Sequence, residues 1–84
     1  MPKVIIYSKA HCPYCDMAKE FFTEKNISFE EIRIDLDADK RDEMLRLSNN
    51  RRTVPQIFIN GQSIGGYDDL IALSKSGKLN ELLQ

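Results

Sequence analysis

Cys12 and Cys15 are the two cysteines of the chain, with Pro13 and Tyr14 between them. Thiols at this spacing either exchange with disulfides or share a metal ion. Exchange needs a thiolate, and an ordinary cysteine is mostly protonated near neutral pH. The segment Lys9-Ala10-His11-Cys12-Pro13-Tyr14-Cys15 leaves an apolar run and enters a helical pattern. Pro13 suits the first helical position, where its missing N–H is not needed. Cys12 is then the cap, and the free N–H groups of the first turn point at its sulfur. The positive end of the helix dipole and Lys9, three residues upstream, further favour the thiolate. Cys15 lies one turn deeper, so it is expected to be less exposed and less acidic. The pair reads as an attacker, Cys12, and a resolver, Cys15.

The metal reading is weaker. A structural zinc ion takes four ligands, whereas Cys12, Cys15 and His11 are the only ones on hand and no second cysteine pair exists. Covalent haem attachment wants a histidine directly after the second cysteine, and Asp16 stands there instead. No metal is expected. His11 reads as an exposed loop residue.

The elements that must hold the pair follow from periodicity. Lys3 to Ser8 reads as a first strand, with Val4, Ile5, Ile6 and Tyr7 a nearly unbroken apolar run suited to burial on both faces. Met17, Ala18, Phe21 and Phe22 then fall at helical spacing up to about Lys25, with Asn26 as a stop. Ile27 to Asp35 reads as a second strand. Strand, helix and strand in that order imply a parallel, right-handed crossover. Asp37 or Asp39 can cap a second helix that runs to about Ser48, with Met44, Leu45 and Leu47 as its apolar positions. Asn49 to Thr53 is a polar loop. Gln56 to Ile59 and Gln62 to Ile64 are strands joined by Asn60-Gly61, a strong hairpin signal. After Gly65-Gly66, a third helix spans Tyr67 to about Ser76 and ends at Gly77. Leu79, Leu82 and Leu83 suggest a short last helix. The order β-α-β-α-β-β-α-α calls for an α/β fold, with a four-stranded mixed sheet covered by helices. Phe21, Phe22, Phe29 and Phe58 are expected in the core.

Composition sets the boundaries of function. At 84 residues the chain is expected to be one domain, 1–84. Twelve basic residues nearly balance thirteen acidic ones, so no global field points to nucleic acid or an anionic membrane. No run is long enough to span a bilayer, and the N-terminal apolar run is too short for an export signal. Two closely spaced cysteines are not a secreted disulfide framework. The expectation is a cytoplasmic protein with no nucleic-acid or membrane partner.

Cys12-Pro13-Tyr14-Cys15, then Thr53-Val54-Pro55, then Gly65-Gly66-Tyr67-Asp68-Asp69 resembles the dithiol glutaredoxins, in particular the short bacterial ones. The resemblance covers essentially the whole chain. It implies a thioredoxin-like fold and a redox-active disulfide in electron transport and cell redox homeostasis. The implied activity is glutathione-dependent reduction of glutathione mixed disulfides and protein disulfides, with glutathione as co-substrate. The implied partners of the expected monomer are glutathionylated or disulfide-containing proteins, ribonucleotide reductase among them. A thioredoxin-like donor served by its own reductase and an iron–sulfur carrier are the competing readings. Carriers of that second kind generally have one cysteine followed by Gly-Phe-Ser, which this chain lacks.

Glutathione is an extended tripeptide with two carboxylates and one ammonium, so its site needs backbone to pair with, cations and an acid. Thr53, Val54 and Pro55 are the implied backbone edge, with a cis bond before Pro55. Gly66, Tyr67 and Asp68 are the implied seat of the γ-glutamyl end, where helix N–H groups can take an anion. Asp69 is a second acid for the ammonium. Tyr14 is expected beside the ligand sulfur. Lys9 and Arg41 are the candidates for the glycyl carboxylate. The loop Ser48–Thr53 is one residue longer than in the family, so Arg51 or Arg52 can replace Arg41. Tyr67 stands where short bacterial relatives carry a cysteine.

Overall fold

Val4 and Ile6 point to one side of the first strand, Ile5 and Tyr7 to the other, and both sides are covered. The computed structural model describes residues 2–84. Its elements are β1 (Val4–Ser8), α1 (Pro13–Glu24), β2 (Glu30–Arg33), α2 (Ala38–Leu47), β3 (Gln56–Ile59), β4 (Gln62–Gly65), α3 (Tyr67–Ser76) and α4 (Lys78–Leu82). The expected order is therefore present. The four strands lie in the order β2-β1-β3-β4. β1 runs parallel to β2 and antiparallel to β3, which turns back into β4.

The pairing of β1 with β3 sets Val4 beside Ile59 and Ile6 beside Ile57. These four side chains, with Ala18 and Phe22 of α1, Leu70 of α3 and Leu79 of α4, form the larger core. Phe21 and Phe29 are partly buried against it. Fully burying one such apolar side chain stabilises by about 1.5–3 kcal/mol. On the opposite face Tyr7, Phe58 and Met44 form the second core, with Ile5, Ile32, Ile34, Leu45 and Val54 around them. Tyr7 and Phe58 meet edge to face, with ring centroids 5.4 Å apart. One strand thus anchors both layers, and its end delivers the chain to Cys12.

Two expectations need correction. The second strand is Glu30–Arg33 rather than Ile27–Asp35. Asn26 takes a left-handed φ of 59°, and the Ile27 N–H donates back to Phe22 O at 2.9 Å. That closure uses Ile27 to finish α1, the usual way a helix satisfies its last carbonyls. Leu47 is the other correction, because it is half exposed. The inward stripe of α2 passes through Met44, Leu45 and the buried Ser48 instead. Ser48 takes the inward place because its Oγ accepts from Arg51 N at 3.2 Å and donates to Arg51 O at 3.3 Å, holding the following loop.

Local signals decide the other ends. Asp37, not Asp39, caps α2, accepting from Asp39 N at 2.9 Å and Lys40 N at 3.4 Å. Asn60 and Gly61 both have positive φ, as a tight hairpin of this twist demands.

Two carboxylates tie the helices to the sheet. Glu31 accepts from Ser8 Oγ at 2.6 Å and from Lys19 Nζ at 2.9 Å. These bonds, the serine's first, hold its pKa below the ordinary value. Glu43 accepts from the buried Tyr7 hydroxyl at 2.6 Å, which is the main reason its pKa is lowered. Burial and the same bond push Tyr7 well above its ordinary value. A carboxylate with a depressed folded pKa adds stability above its unfolded value and loses it as pH falls through the folded one. Both glutamates start from 4.5. The urea midpoint is therefore expected to fall as pH drops below about 4.5, and to fall less in the Tyr7→Phe, Ser8→Ala double variant. Equilibrium unfolding followed by circular dichroism at each pH checks this.

Candidate active site

The apolar end of β1 turns through Lys9–His11 into α1. An exposed tether holds this turn. Arg33 grips Asp35 with two bonds, of 2.7 and 2.6 Å, and Asp35 Oδ2 accepts from Ala10 N at 3.2 Å. The Arg33 guanidinium comes first among the causes that hold the Asp35 carboxyl far below the usual carboxylate range.

Cys12 is extended, with φ of −119°, and caps α1, with Pro13 in the first turn as expected. Cys15 N–H points at Cys12 Sγ from 3.2 Å. The two sulfurs are joined in a disulfide, with Cα atoms 5.2 Å apart. Cys12 keeps 7% of its surface open and Cys15 only 1%, so an incoming sulfur or thiolate reaches Cys12 first. Cys12 Sγ also lies 3.8 Å from Val54 O. The Val54–Pro55 bond is cis. Beneath it the buried Gln56 donates from Nε2 to Thr53 O at 2.9 Å and Thr53 Oγ1 at 3.3 Å. That bond fixes the loop backbone in front of the sulfur.

A groove runs over Thr53 and Val54 and opens on both sides of them. One opening, about 220 Å³, is lined by Tyr14, Arg51, Thr53, Val54, Pro55, Gly66, Tyr67, Asp68 and Asp69. The other, about 540 Å³, takes in Lys9, His11, Cys12, Pro13, Ile34, Arg41, Arg52, Thr53 and Val54. Together they match the ~300–1,000 Å³ typical of small-ligand sites. Every residue that the sequence suggested for the tripeptide lines one opening or the other. Lys9, Arg41 and Arg52 share the first turn's side of the groove, whereas Arg51 stands with the aspartates on the far side.

Glycines make that far side. At Gly65, φ is +109°, and a Cβ there would run into the Asp69 carboxylate and the Arg51 guanidinium. A Cβ on Gly66 would sit in ordinary contact, 3.4 Å from Pro55 O, so α3 starts beside the cis-proline loop. Gly66 caps α3 without a side chain. Asp69 Oδ2 accepts from Gly66 N at 2.9 Å and from Arg51 Nη2 at 3.2 Å. Its carboxylate is thus engaged in holding the helix start. The rings of Tyr14 and Tyr67 stand 6.0 Å apart between centroids. His11, Pro13 and Ile34 also line the groove, a placement that sequence reasoning missed. Ile34 arrives there because its N–H continues the ladder to Ser8 O at 2.9 Å, and the Ile32–Ile34 alternation was the available signal.

A disulfide at the start of a helix, beside a cis-proline loop on a four-stranded mixed sheet, defines a thiol–disulfide oxidoreductase of thioredoxin-like fold. The family model described as Glutaredoxin matches residues 4–64. The chain is 52% identical to Glutaredoxin 3 of Escherichia coli K12 over 84 residues, all of both chains. It resembles the buckwheat glutaredoxin–glutathione complex with a TM-score of 0.84 and 31% identity, covering 95% of this chain and 74% of that one. The solution structure of a Brucella melitensis glutaredoxin gives a TM-score of 0.81 and 46% identity, covering 96% and 87%. The chain belongs to the glutaredoxin family.

Asp35→Ala removes the only side-chain acceptor of the Ala10 N–H recorded among the described residues. Amide exchange at Ala10 is expected to speed up by about tenfold, the equivalent of one net hydrogen bond. Exchange within β1 is expected to stay unchanged, as read by hydrogen–deuterium NMR.

Proposed function

We propose that this protein reduces glutathione mixed disulfides with Cys12 as nucleophile, and protein disulfides with Cys15 as resolver. The observation that carries this reading is the Cys15 N–H aimed at a partly open Cys12 sulfur in the floor of a two-ended groove. In the reduced enzyme the same N–H, the helix dipole and Lys9 stabilise the Cys12 thiolate. That thiolate attacks the glutathione sulfur of a mixed disulfide. The Cys12–glutathione bond forms, the old S–S bond breaks, and the client sulfur leaves as a thiolate and takes a proton from solvent. A second glutathione thiolate then attacks the bound glutathione sulfur. Oxidised glutathione departs and Cys12 is a thiolate again. On the two-cysteine route Cys15 gives up its proton and attacks Cys12 Sγ, releasing glutathione or the client thiolate and leaving the internal disulfide. Two glutathiones reduce that disulfide in turn.

The groove supports a direction for the tripeptide. Lys9, Arg41 and Arg52 share one opening, which suits the glycyl carboxylate. Val54 pairs with the cysteinyl backbone, a short case of strand addition. The unfilled N–H groups at the start of α3 suit the γ-glutamyl carboxylate, with Asp68 taking the ammonium. Asp69 acts through Gly66 and Arg51, and Tyr14 and Tyr67 flank the sulfur. The 1–84 domain works as a monomer in the cytoplasm. Its clients are glutathionylated proteins and protein disulfides of the kind ribonucleotide reductase presents.

Turnover of glutathionylated peptide with glutathione as donor tests the reading. Cys12→Ser is expected to abolish it, while Cys15→Ser retains the glutathione-dependent route and loses reduction of protein disulfides. Equal loss of both activities in the two variants refutes the division of labour. Replacing Arg41 and Arg52 by Gln is expected to raise KM for glutathione by about fivefold, since an exposed charged contact is worth roughly 1 kcal/mol. Against a glutathione whose glycyl carboxylate is amidated, the same double variant is expected to show no further loss.

A further inference from the structure

We infer that α1 carries a second binding surface, which docks client polypeptides that present an apolar side chain followed by basic residues close to their reactive cysteine. This rests on the oxidoreductase reading and adds a recognition site to it.

Tyr14, Met17 and Phe21 follow the i, i+3, i+7 spacing that lines up one face of a helix. The large hydrophobic side chains exposed among the described residues are Tyr14, Met17, Leu36 and Leu47, and the first two sit on this stripe, next to the disulfide. Beyond them Met17, Phe21 and Tyr67 of α3 line a hollow of about 180 Å³ whose rim carries Glu20 and Glu24. Neither glutamate is in an ion pair among the described residues, whereas Asp16 and Lys19 of the same helix pair with each other. Lys25, just past the end of α1, lies over the Phe21 ring, 5.0 Å from its centroid, and Lys19 is taken by Asp16 and Glu31. With Glu20 and Glu24 and no cation among its lining residues, this rim is acidic.

The charge is what selects the occupant. The opening of the groove beside Cys12 holds Lys9, Arg41 and Arg52 with no acid among its lining residues, so a basic client segment is repelled from that side and drawn along α1. Complementary charge of this kind sets register and encounter rate more than it sets affinity. The hollow shares only Tyr67 with the groove, and Tyr14 stands at the border between the stripe and the groove. Glutathione in the groove and a client chain on α1 therefore fit together on one enzyme molecule, as a glutathionylated client requires. Reach gives the spacing. With a rise of about 1.5 Å per residue, Met17 lies roughly 7.5 Å and Glu24 roughly 18 Å along the axis from Cys12. An extended client at about 3.3 Å per residue meets these points about two and about five residues from its own cysteine.

Three glutathionylated synthetic peptides test this. One carries Leu and then two Lys residues at that spacing from its cysteine, one has Glu in place of Lys, and one has Ser in place of Leu. The wild-type enzyme is expected to favour the Leu–Lys peptide over the Glu peptide in kcat/KM by roughly three- to tenfold at low ionic strength, as two exposed charge pairs allow. High salt should narrow the gap, and the Ser peptide should fall between. Glu20→Lys with Glu24→Lys is expected to reverse the order of the charged peptides. Turnover of the glutathione mixed disulfide of β-mercaptoethanol, which is too small to reach the rim, is expected to stay the same. An unreversed order, or equal kcat/KM for the three peptides on the wild-type enzyme, overturns the proposal. So does a dimer, seen by sedimentation velocity, that the same substitutions dissociate. Failure of the wild-type enzyme to turn over the small mixed disulfide would instead bring down the oxidoreductase reading beneath it.

Discussion

A single backbone donor, the N–H of Cys15, aimed at the sulfur of Cys12 is the contact on which the rest of the molecule depends. A helix start leaves such donors unpaired by construction, and Pro13 guarantees where the helix starts. Most of the remaining architecture serves to keep that first turn in place and its surroundings polar on one side only. β1 is buried on both faces, so its end cannot wander. Asp35 pins Ala10, and α1 is packed through Ala18 and Phe22 into the larger core. A displaced helix start would move the donor away from the sulfur and leave an ordinary thiol.

Two loops shape the groove against the helix that bears the cysteines. Gln56 is buried and commits its amide to Thr53, which freezes the strip of backbone facing the sulfur. Gly65, at a left-handed φ, leaves room for the Asp69 carboxylate and the Arg51 guanidinium, and Asp69 seals the start of α3. The cations fall into two groups because the loop after α2 turns over between Asn50 and Thr53. Arg51 leaves on one side and Arg52 on the other, so neighbours in the chain line opposite ends of the groove.

Local chemistry was readable from the residues themselves. Cys-Pro-Tyr-Cys after an apolar run, Asn60-Gly61, and Gly77 at the end of α3 each constrain their own neighbourhood, and each stands where its type demands. The α/β order with a mixed sheet followed from the same signals. What stayed hidden depends on long-range closure. Ile27 has a strand-like side chain, but its N–H is taken by Phe22, so it ends α1. Leu47 carries the right hydrophobicity on the wrong side of α2, because Ser48 is needed inside to hold Arg51. The separation of Arg51 from Arg52 depends on the path of a loop, which no pattern of residue types encodes. The Asp35 tether escaped for the same reason, since its acceptor role spans two segments.

The pairing of β1 with β3 joins Val4 to Ile59 and Tyr7 to Gln56. During synthesis on the ribosome both cysteines therefore emerge well before the strand that completes their surroundings. Until the latter part of the chain has been made, Cys12 has neither the Thr53–Pro55 wall nor the α3 start beside it. The nascent thiols are then generic ones, open to any oxidant or electrophile, and the groove that screens what reaches Cys12 exists only once the Thr53–Pro55 loop and the start of α3 have been made.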